Sequence, residues 1–549
     1  MSRLRSLKVQ KFRSIESAEI EFPVGMPVVL FGQNNAGKSN IVKGLSIILG
    51  EQYPRYYQPE ENDYFLRSLS EPMTIIAEFA EDEALADRYV ALHWKHDRQA
   101  GADQTTFLGV EKSGVANKWI KSEEREDCML VMVEAERNLK YQLSYTSKFT
   151  MLSRLMHRFH QKLHAYENIR QQLETEFKET KELFNQIPEF HEFCETLRGD
   201  VDSTLKCWTY KLELDFEAYN PLNFFHSVRV QAKEGENIRP FEELGTGEQQ
   251  ILAISFGHAY ARAFKKGFVL GIEEPEVHLH PLAQAWLAER IRVMCADGLQ
   301  VILSTHSPSF LDLMNLPGMH LIYREGSITQ VLRHDQQTLT SYCLKQGANS
   351  SKCSSETILP FYAANTTPQL LEGFFARAVV LVEGATEALA LPIYLAFQGC
   401  NTKELGIAVI PVHGKGSIAR YVRLFEAYKI PTYVVFDNDP SDDESGEHRK
   451  DIFRTVSQPL DDSNFESKDI IVEDSFAIFG EDFEKSLRKL LEPVGYGATE
   501  EEVRDKYGPA KPIVARQVAI ELTSNGIQHG CWEKLRVLAQ KIRAKVPNG

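Results

Sequence analysis

Short apolar runs of the length of a buried strand recur along this chain, and several are followed by a loop and a helical pattern. Pro27–Phe31, Phe268–Ile272 and Val301–Ser304 are three such runs in the first part of the chain. Asn40–Leu49 and Gln250–Ala263 carry apolar residues three and four positions apart, a spacing that predicts helices. Alternating strands and helices predict an α/β fold.

The same alternation returns near the carboxyl terminus. Ala378–Val382, Ile407–Val412 and Thr432–Phe436 are apolar runs, and a helical pattern follows each of the first two. Such an order predicts a second domain with a parallel sheet that helices flank on both faces.

A longer helical pattern interrupts the first domain. From Leu152 to about Phe184, apolar residues recur in steps of three or four with charges between them, which predicts a long amphipathic helix. Pro188 is expected to end or kink it. A protruding dimerisation arm and a helix packed on its own domain both fit this pattern, and both interpretations stay open.

Composition and spacing predict the domain organisation. Residues 1–335 form the first domain, with a helical insertion at 148–215. The polar, Ser- and Asn-rich stretch at 336–372 is typical of a linker that contains at most a short helix. Residues 373–549 form the second domain, whose last part is helical.

Length and charge limit the function. A chain of 549 residues is too long for one hydrophobic core. A net charge of −15 excludes a uniformly basic protein that coats nucleic acid. The eight cysteines include no C-x-x-C pair, which argues against a zinc site and a disulfide framework. No secretory signal and no apolar run of ~20 residues is present, so we expect a cytoplasmic protein without membrane contact.

A phosphate-binding loop follows the first apolar run. Gly32–Ser39 reads GQNNAGKS and fits G-x-x-x-x-G-K-[S/T] without mismatch. Its backbone N–H groups would cradle the phosphates of ATP, Lys38 would reach the β- and γ-phosphates, and Ser39 would hold Mg²⁺. The predicted nucleotide ligands in this loop are Gly32, Asn34, Asn35, Gly37, Lys38 and Ser39.

Three further motifs lie where nucleotides bind in open α/β sheets. Leu244–Gln249, with Gly245, Gly247 and Glu248, begins a helix and is predicted to contact nucleotide. Glu273 ends a strand and would hold Mg²⁺ through water, and Glu274 would activate the attacking water. His306 follows the next strand and would sense the γ-phosphate.

Acidic residues also gather at the strand ends of the second domain. Glu383 ends one strand, and Asp437 and Asp439 end another, so the three carboxylates are predicted to converge. Glu387 follows Glu383 by four residues. Hard oxygen ligands in a cluster suit Mg²⁺ or Mn²⁺.

The motifs of the first domain carry a family resemblance. GQNNAGKS, LGTGEQQ, IEEPEVHLHP and STHSP resemble the ABC-type ATPases of the SMC and RecF-like group. Glu273 stands where Asp is usual, and Thr246 where Gly or Ser is commoner, so hydrolysis is expected to be slow. In such ATPases the signature loop of one subunit covers nucleotide on another, which implies at least a homodimer.

VLVEGATE and VFDND resemble Toprim, and an ABC-type ATPase followed by Toprim resembles the OLD (overcoming lysogenization defect) nucleases. The resemblance implies an ATP-gated DNA endonuclease with two metals. Glu383, Asp437 and Asp439 would hold one ion. Glu387, with Glu481 or Glu484, would hold the other, beside Lys511.

Family members often act in defence against phage, sometimes with a helicase or a reverse-transcriptase (retron) partner. Two other functions stay open from the residues alone. One is a Toprim primase or topoisomerase. The other is a DNA-bound signalling ATPase whose Toprim domain is silent.

Overall fold

The structure is a computed structural model that forms two compact units, Met1–Arg333 and His334–Gly549. It describes residues 2–68, 71–99, 102–133, 152–153, 155–156, 159, 187–204, 211–216, 228–240, 243–264, 267–351, 353–438, 446–456, 468–527 and 529–547. Asp439 and most of the long helix predicted at 152–184 lie outside these residues.

The first unit contains fifteen strands in the described residues, twelve of them in one sheet. The strands are β1 (Leu4–Phe12), β2 (Ile15–Glu21), β3 (Val28–Phe31), β4 (Met73–Phe79), β5 (Tyr89–Gln99), β6 (Ala102–Glu111), β7 (Ala116–Asn117), β8 (Cys128–Val133), β9 (Lys211–Phe216), β10 (Val228–Glu234), β11 (Asn237–Pro240), β12 (Gly267–Glu273), β13 (Gln300–Thr305), β14 (Met319–Glu325) and β15 (Ile328–Arg333). Its helices are α1 (Lys38–Leu49), α2 (Ser122–Arg125), α3 (Pro188–Thr204), α4 (Thr246–Phe264) and α5 (Pro281–Ala296).

The large sheet has the strand order β7-β6-β5-β4-β1-β2-β15-β14-β3-β13-β12-β8. Strands β14, β3, β13, β12 and β8 run parallel, whereas β1, β2 and β4 to β7 pair antiparallel. Because β3, β13 and β12 are neighbours, their carboxyl ends meet at one edge of the sheet. A separate three-stranded sheet has the order β11-β10-β9.

Part of the predicted long helix can be compared with the structure. Leu152, Leu155 and Phe159 are helical and buried, and the Phe159 ring lies 5.0 Å from that of Phe190. Pro188 begins α3, because proline is compatible with the first helical position, where its missing N–H needs no partner. This part of the insertion therefore packs on its own domain.

The second unit is a five-stranded sheet with helices around it, in the order β17-β16-β18-β20-β19. Its strands are β16 (Ala378–Val382), β17 (Ile407–Pro411), β18 (Thr432–Asp437), β19 (Ile471–Val472) and β20 (Phe476–Phe479). Its helices are α6 (Gln336–Lys345), α7 (Ile358–Asn365), α8 (Pro368–Glu372), α9 (Ala385–Phe397), α10 (Lys415–Ala427), α11 (Glu447–Thr455), α12 (Phe483–Leu491), α13 (Tyr496–Tyr507), α14 (Lys511–Ser524) and α15 (Glu533–Ala544). All pairings except β19–β20 are parallel.

The segment expected to be a linker at 336–372 contains three helices of this second unit. The Tyr362 hydroxyl donates to the Arg420 carbonyl at 2.9 Å, and the Tyr421 hydroxyl donates to the Asn365 carbonyl at 2.9 Å. Polar residues dominate the composition of this segment, but its few apolar residues, such as Leu339, lie buried. No helix within the described residues is both long and apolar enough to cross a membrane.

Candidate functional site

The phosphate-binding loop has a backbone that only glycine accommodates at two positions. Gly32 and Gly37 have φ of 136° and 111°. A Cβ on Gly32 would lie 2.1 Å from the Ile322 carbonyl oxygen, and one on Gly37 would lie 2.2 Å from the Thr329 hydroxyl. Positive φ and close neighbours together explain both glycines.

Polar side chains from β15 and the β1–β2 turn support the loop through hydrogen bonds. The Thr329 hydroxyl donates to the Ala36 carbonyl at 2.9 Å and lies 2.7 Å from the Ser14 hydroxyl. The Asn40 amide donates to Ser14 at 2.8 Å. The sequence did not reveal these supports, because Ser14 and Thr329 are distant in the chain and match no motif.

Lys38 is buried at the start of α1. Its ammonium donates to the carbonyl oxygens of Gly32 and Gln33 at 3.0 and 2.9 Å. Burial lowers the pKa of Lys38 to about 8, although the charges of Glu274 and Glu276 partly oppose this shift. The Lys38 ammonium therefore lies within the loop, and the charges of Glu274 and Glu276 act on it.

The register of the sheet brings Glu273, Glu274 and His306 to the same edge as this loop. Glu273 is paired with Ser304 at the ends of β12 and β13, and the Glu274 N–H donates to the Ser304 carbonyl at 2.9 Å. Glu274 has φ of 46°, and the residue is exposed. Its charge acts on both Lys38 and His306.

His306 is half-buried beside this acid. Burial lowers its pKa, the Lys38 charge lowers it further, and the Glu274 charge opposes both. These shifts favour the neutral imidazole, which can donate a hydrogen bond from its one N–H to a phosphate oxygen.

Glu276 is a site residue that the sequence reasoning missed. Its carboxylate accepts from the Thr305 hydroxyl at 2.8 Å and from the His306 N–H at 2.6 Å. It thereby fixes the loop that carries His306. Burial raises the pKa of Glu276, and the hydrogen bond from the His306 N–H opposes the shift. Only the pairing of β12 with β13 shows this role.

The signature loop, Leu244–Gln249, is held by its own side chains. The Gly245 N–H donates to the Glu248 carboxylate at 2.9 Å, and the Gln249 amide donates to the Leu244 carbonyl at 2.9 Å. A Cβ on Gly247 would lie 3.0 Å from the His278 carbonyl, so this glycine permits close contact with the segment after β12.

In the second unit, Glu383 and Asp437 lie together at the ends of β16 and β18. The Glu383 carboxylate accepts from the Asp437 N–H at 3.0 Å. The Lys415 ammonium is buried 3.6 Å from the same carboxylate oxygen. Lys415 is the first residue of α10, and its buried ammonium offsets part of the acidic charge.

Glu387 and Glu484 complete the electrostatic neighbourhood of Asp437. Burial raises the pKa of Asp437 far above its usual range, and the charges of Glu387, Glu383 and Glu484 raise it further. Burial also raises the pKa of Glu387, whose carboxylate accepts from the Gly384 N–H at 3.1 Å. Four predicted acids therefore interact.

Two of the remaining predicted residues, Glu481 and Lys511, are exposed at the surface. Glu481 is 46% exposed and faces Lys468 and Lys485 at 3.6 and 3.8 Å, so its position is that of a solvated surface acid. Lys511 is exposed and lies 4.0 Å from the Glu484 carboxylate.

The donor set of this acidic cluster fits a hard divalent cation. One Asp437 carboxylate oxygen is buried without a hydrogen-bond partner in the structure. Carboxylates that raise one another's pKa are stabilised in their charged form by a cation. Within the described part of the chain, no three His, Cys, Asp or Glu side chains form a complete metal cage as they stand.

These features define a class of protein, an ATPase domain joined to a Toprim domain. The family described as "AAA ATPase domain" matches residues 3–154 and 116–311, which span more than half of the chain. The family described as "Overcoming lysogenization defect protein-like, TOPRIM domain" matches residues 374–439. The chain therefore belongs to the AAA ATPase domain family through its first part, and its later part matches the OLD-like Toprim family, in agreement with the resemblance and the fold class predicted from sequence.

Three relatives are similar over different lengths. "OLD nuclease" of Thermus scotoductus is 25% identical over 488 residues, which cover 81% of this chain and 84% of that protein. "Old nuclease" of Escherichia phage P2 is 28% identical over 221 residues, covering 38% of this chain and 35% of that protein. "Endonuclease GajA" of Bacillus cereus is 25% identical over 221 residues, covering 36% of this chain and 31% of that protein.

A solved structure of an Smc head bound to the C-terminal winged-helix domain of ScpA also matches. It is 16% identical with a TM-score of 0.43, and the match covers 60% of this chain and 97% of that one.

Proposed function

We propose that this chain is an ATP-binding nuclease that hydrolyses DNA phosphodiester bonds with divalent metal ions at its Toprim unit. The observation that carries this proposal is the Asp437 carboxylate. One of its oxygens is buried without a hydrogen-bond partner, and three other acids raise its pKa. The relatives named OLD nuclease and Endonuclease GajA support nuclease chemistry.

The ligand roles follow the acids around Asp437. Glu383, Asp437 and Asp439 would hold one ion, and Glu387 with Glu484 would hold the second. Bound there, Mg²⁺ or Mn²⁺ supplies a more acidic water molecule and neutralises charge on the phosphate that is attacked. Hydrolysis by water gives a nicked or cut strand without a covalent enzyme intermediate.

Nearby residues of the chain position these acids. Lys415 offsets part of their charge without reaching solvent, and the Asp437 N–H fixes one oxygen of Glu383. Lys511 is exposed beside Glu484, where its ammonium can contact a DNA phosphate and stabilise the extra negative charge of the transition state.

In the first unit, ATP would bind with its phosphates on the loop at Gly32–Ser39. Lys38 would contact the β- and γ-phosphates, and Ser39 and Glu273 would hold Mg²⁺. Glu274 would orient and deprotonate the attacking water, while His306 would contact the γ-phosphate.

The signature loop supports an assembly of at least two copies. In ABC-type ATPases, nucleotide lies between the phosphate-binding loop of one subunit and the signature loop of another. Leu244–Gln249 begins a helix and is held in shape by the bonds to Glu248 and Gln249. We propose that ATP joins two copies through this loop and thereby regulates DNA cleavage.

Cleavage of supercoiled plasmid tests the proposal. The full-length protein should nick DNA in Mg²⁺ or Mn²⁺ and be inactive in EDTA. Asp437→Ala should abolish nicking and leave ATP affinity unchanged, because it removes the central ligand of the other unit. Glu481→Ala removes an exposed acid and should cut at the wild-type rate. Nicking by Asp437→Ala at the wild-type rate would exclude this site.

The same assay separates the alternatives. A primase would extend strands when nucleotides are supplied, and a topoisomerase would relax plasmid without accumulating nicks. A signalling ATPase with a silent Toprim unit would hydrolyse ATP and leave the plasmid intact. The mutually interacting acids argue against a silent Toprim unit.

Defence against phage, with or without a helicase or reverse-transcriptase partner, is supported by the family resemblance. Plaque counts on cells that produce the wild-type chain, compared with Asp437→Ala, would test it. Equal plaque counts for both would contradict a nuclease-dependent defence role.

A further inference from the structure

Two large aromatic side chains of the first unit are exposed to solvent, and a cation lies over one of them. Trp119 is 76% exposed and Tyr56 is 69% exposed. The Arg55 guanidinium lies over the Trp119 ring, 5.4 Å from its centre. Tryptophan is highly buried on average, so an indole with most of its surface in solvent indicates an interaction surface.

Hydrogen bonds hold the two segments that carry these side chains together. The Tyr53 hydroxyl donates to the Ile120 carbonyl at 2.9 Å. Within the second segment, the backbone N–H of Trp119 donates to the Asn117 side-chain oxygen at 2.9 Å. The Tyr53 ring packs edge-on against Phe107, with the ring centres 5.4 Å apart. The exposure of Trp119 therefore belongs to an ordered surface.

Lysines without ion pairs lie near Trp119 in the chain. Lys112, Lys118 and Lys121 are exposed around β7, and among the described residues none of the three forms an ion pair. Two acids of the same segment, Glu111 and Glu124, are paired with the Arg88 guanidinium at 2.6 and 3.3 Å, and Glu126 is exposed five residues after Lys121. Although the chain has a net charge of −15, the exposed side chains near Trp119 thus include unpaired cations.

We propose that this aromatic–basic surface binds a single-stranded polynucleotide. It consists of Arg55, Tyr56, Lys112, Lys118, Trp119 and Lys121. Bases that are not paired stack on exposed aromatic rings, and lysines beside the rings contact the phosphates. A duplex keeps its bases stacked inside, so it would use the lysines and gain nothing from Trp119.

The inference is independent of the proposed nuclease. The aromatic–basic surface lies in the first unit and needs no metal, whereas the acids around Asp437 lie in the second. Binding is therefore measured with the full-length chain in EDTA, where no cleavage occurs. Loss of nicking and loss of strand binding are separate results.

Fluorescence anisotropy with labelled oligothymidylate and oligouridylate of about 20 nucleotides tests the surface and distinguishes DNA from RNA. Trp119→Ala should weaken binding of the preferred strand about 5- to 150-fold, the range expected for one stacked base. Trp119→Phe should restore most of the affinity. Tyr507→Ala removes an exposed aromatic from the second unit and should have no effect.

The lysines are tested by salt dependence. Lys118→Gln should reduce the slope of log affinity against log salt by about 0.7 for a single strand. Lys403→Gln is the charge-matched control from the second unit and should leave the slope unchanged. Three results would overturn the proposal: unchanged affinity in Trp119→Ala, an equal effect of Trp119→Ala on duplex binding, or dissociation of a homo-oligomer by Trp119→Ala.

Discussion

Burial of the Lys38 ammonium makes ATP binding sensitive to pH. The pKa of Lys38 is lowered to about 8 in the free protein, and bound phosphates would raise it again by favouring the charged form. ATP affinity should therefore be full below pH 8 and fall as pH rises through that value. Above pH 8 the complex holds a proton that the free protein has lost.

Titration calorimetry at pH 9 in two buffers of different ionisation enthalpy measures this proton directly. Uptake of about one proton per ATP is expected. Lys38→Arg keeps its charge at every accessible pH, so uptake should vanish in that variant. Identical proton uptake in both proteins would show that another group titrates.

Two substitutions separate ATP binding from hydrolysis. Lys38→Ala should weaken ATP binding, because the phosphates lose a charge-assisted contact. Glu274→Gln should preserve binding and slow hydrolysis, because the role proposed for Glu274 is to orient and deprotonate the attacking water. Equal loss of binding in both variants would contradict the assigned roles.

The site residues that the sequence predicts lie in short motifs, whereas the residue that it misses depends on partners from another strand. Gly32, Gly37 and Lys38 lie within eight consecutive residues that match a known motif, so the sequence alone identifies them. Glu276 is recognisable only after β12 and β13 have paired, because its partners Thr305 and His306 come from the second strand. Motif spacing carries no information about such contacts.

At the scale of elements, a buried ionic network joins three helices of the first unit. Asp200 on α3 contacts the His258 imidazole on α4 and lies 2.8 Å from the Arg290 guanidinium on α5. Because α4 begins at the signature loop and α5 follows β12, Asp200 connects the inserted segment to both nucleotide motifs. The network is therefore expected to stabilise the ATPase domain.

Asp200→Ala should reduce the free energy of unfolding by about 3–5 kcal/mol, because it leaves the buried His258 and the partly buried Arg290 without their partner. Glu192→Gln is a control on the same helix, since Glu192 lies 3.9 Å from the largely exposed Arg262. Exposed pairs contribute about 0–1 kcal/mol. Denaturant unfolding of both variants measures the difference, and equal midpoints would show that the network is dispensable.

The helices at 336–372 show where composition misleads. Ser, Asn and Thr dominate this segment and suggested a linker. Leu339 and Cys343 are four residues apart and buried, as are Leu359 and Tyr362, three residues apart. α6 carries a single short buried stripe in a polar sequence, and α7 is apolar but only eight residues long, so neither stands out as a helix before its packing is known.

At the scale of the whole molecule, the two predicted sites lie in separate compact units, and neither takes a described residue from the other. Each site should therefore need no residue from the other unit. Communication between them must then be conformational, with nucleotide changing the access of DNA to the acids around Asp437. In the full-length chain, ATP or a non-hydrolysable analogue should change the cleavage rate by about 5- to 150-fold, the usual range of such coupling.

Cleavage by fragments tests this separation. A fragment of residues 334–549 keeps α6, α7 and α8 and should retain metal-dependent nicking that no longer responds to ATP. A fragment of residues 370–549 loses α6 and α7, so Tyr421 and its neighbours on α10 become exposed, and this shorter fragment should unfold at lower denaturant concentration. If the longer fragment is folded but inactive, the acidic site needs the ATPase unit. If full-length cleavage is indifferent to nucleotide at every concentration, ATP serves another step, such as loading onto DNA.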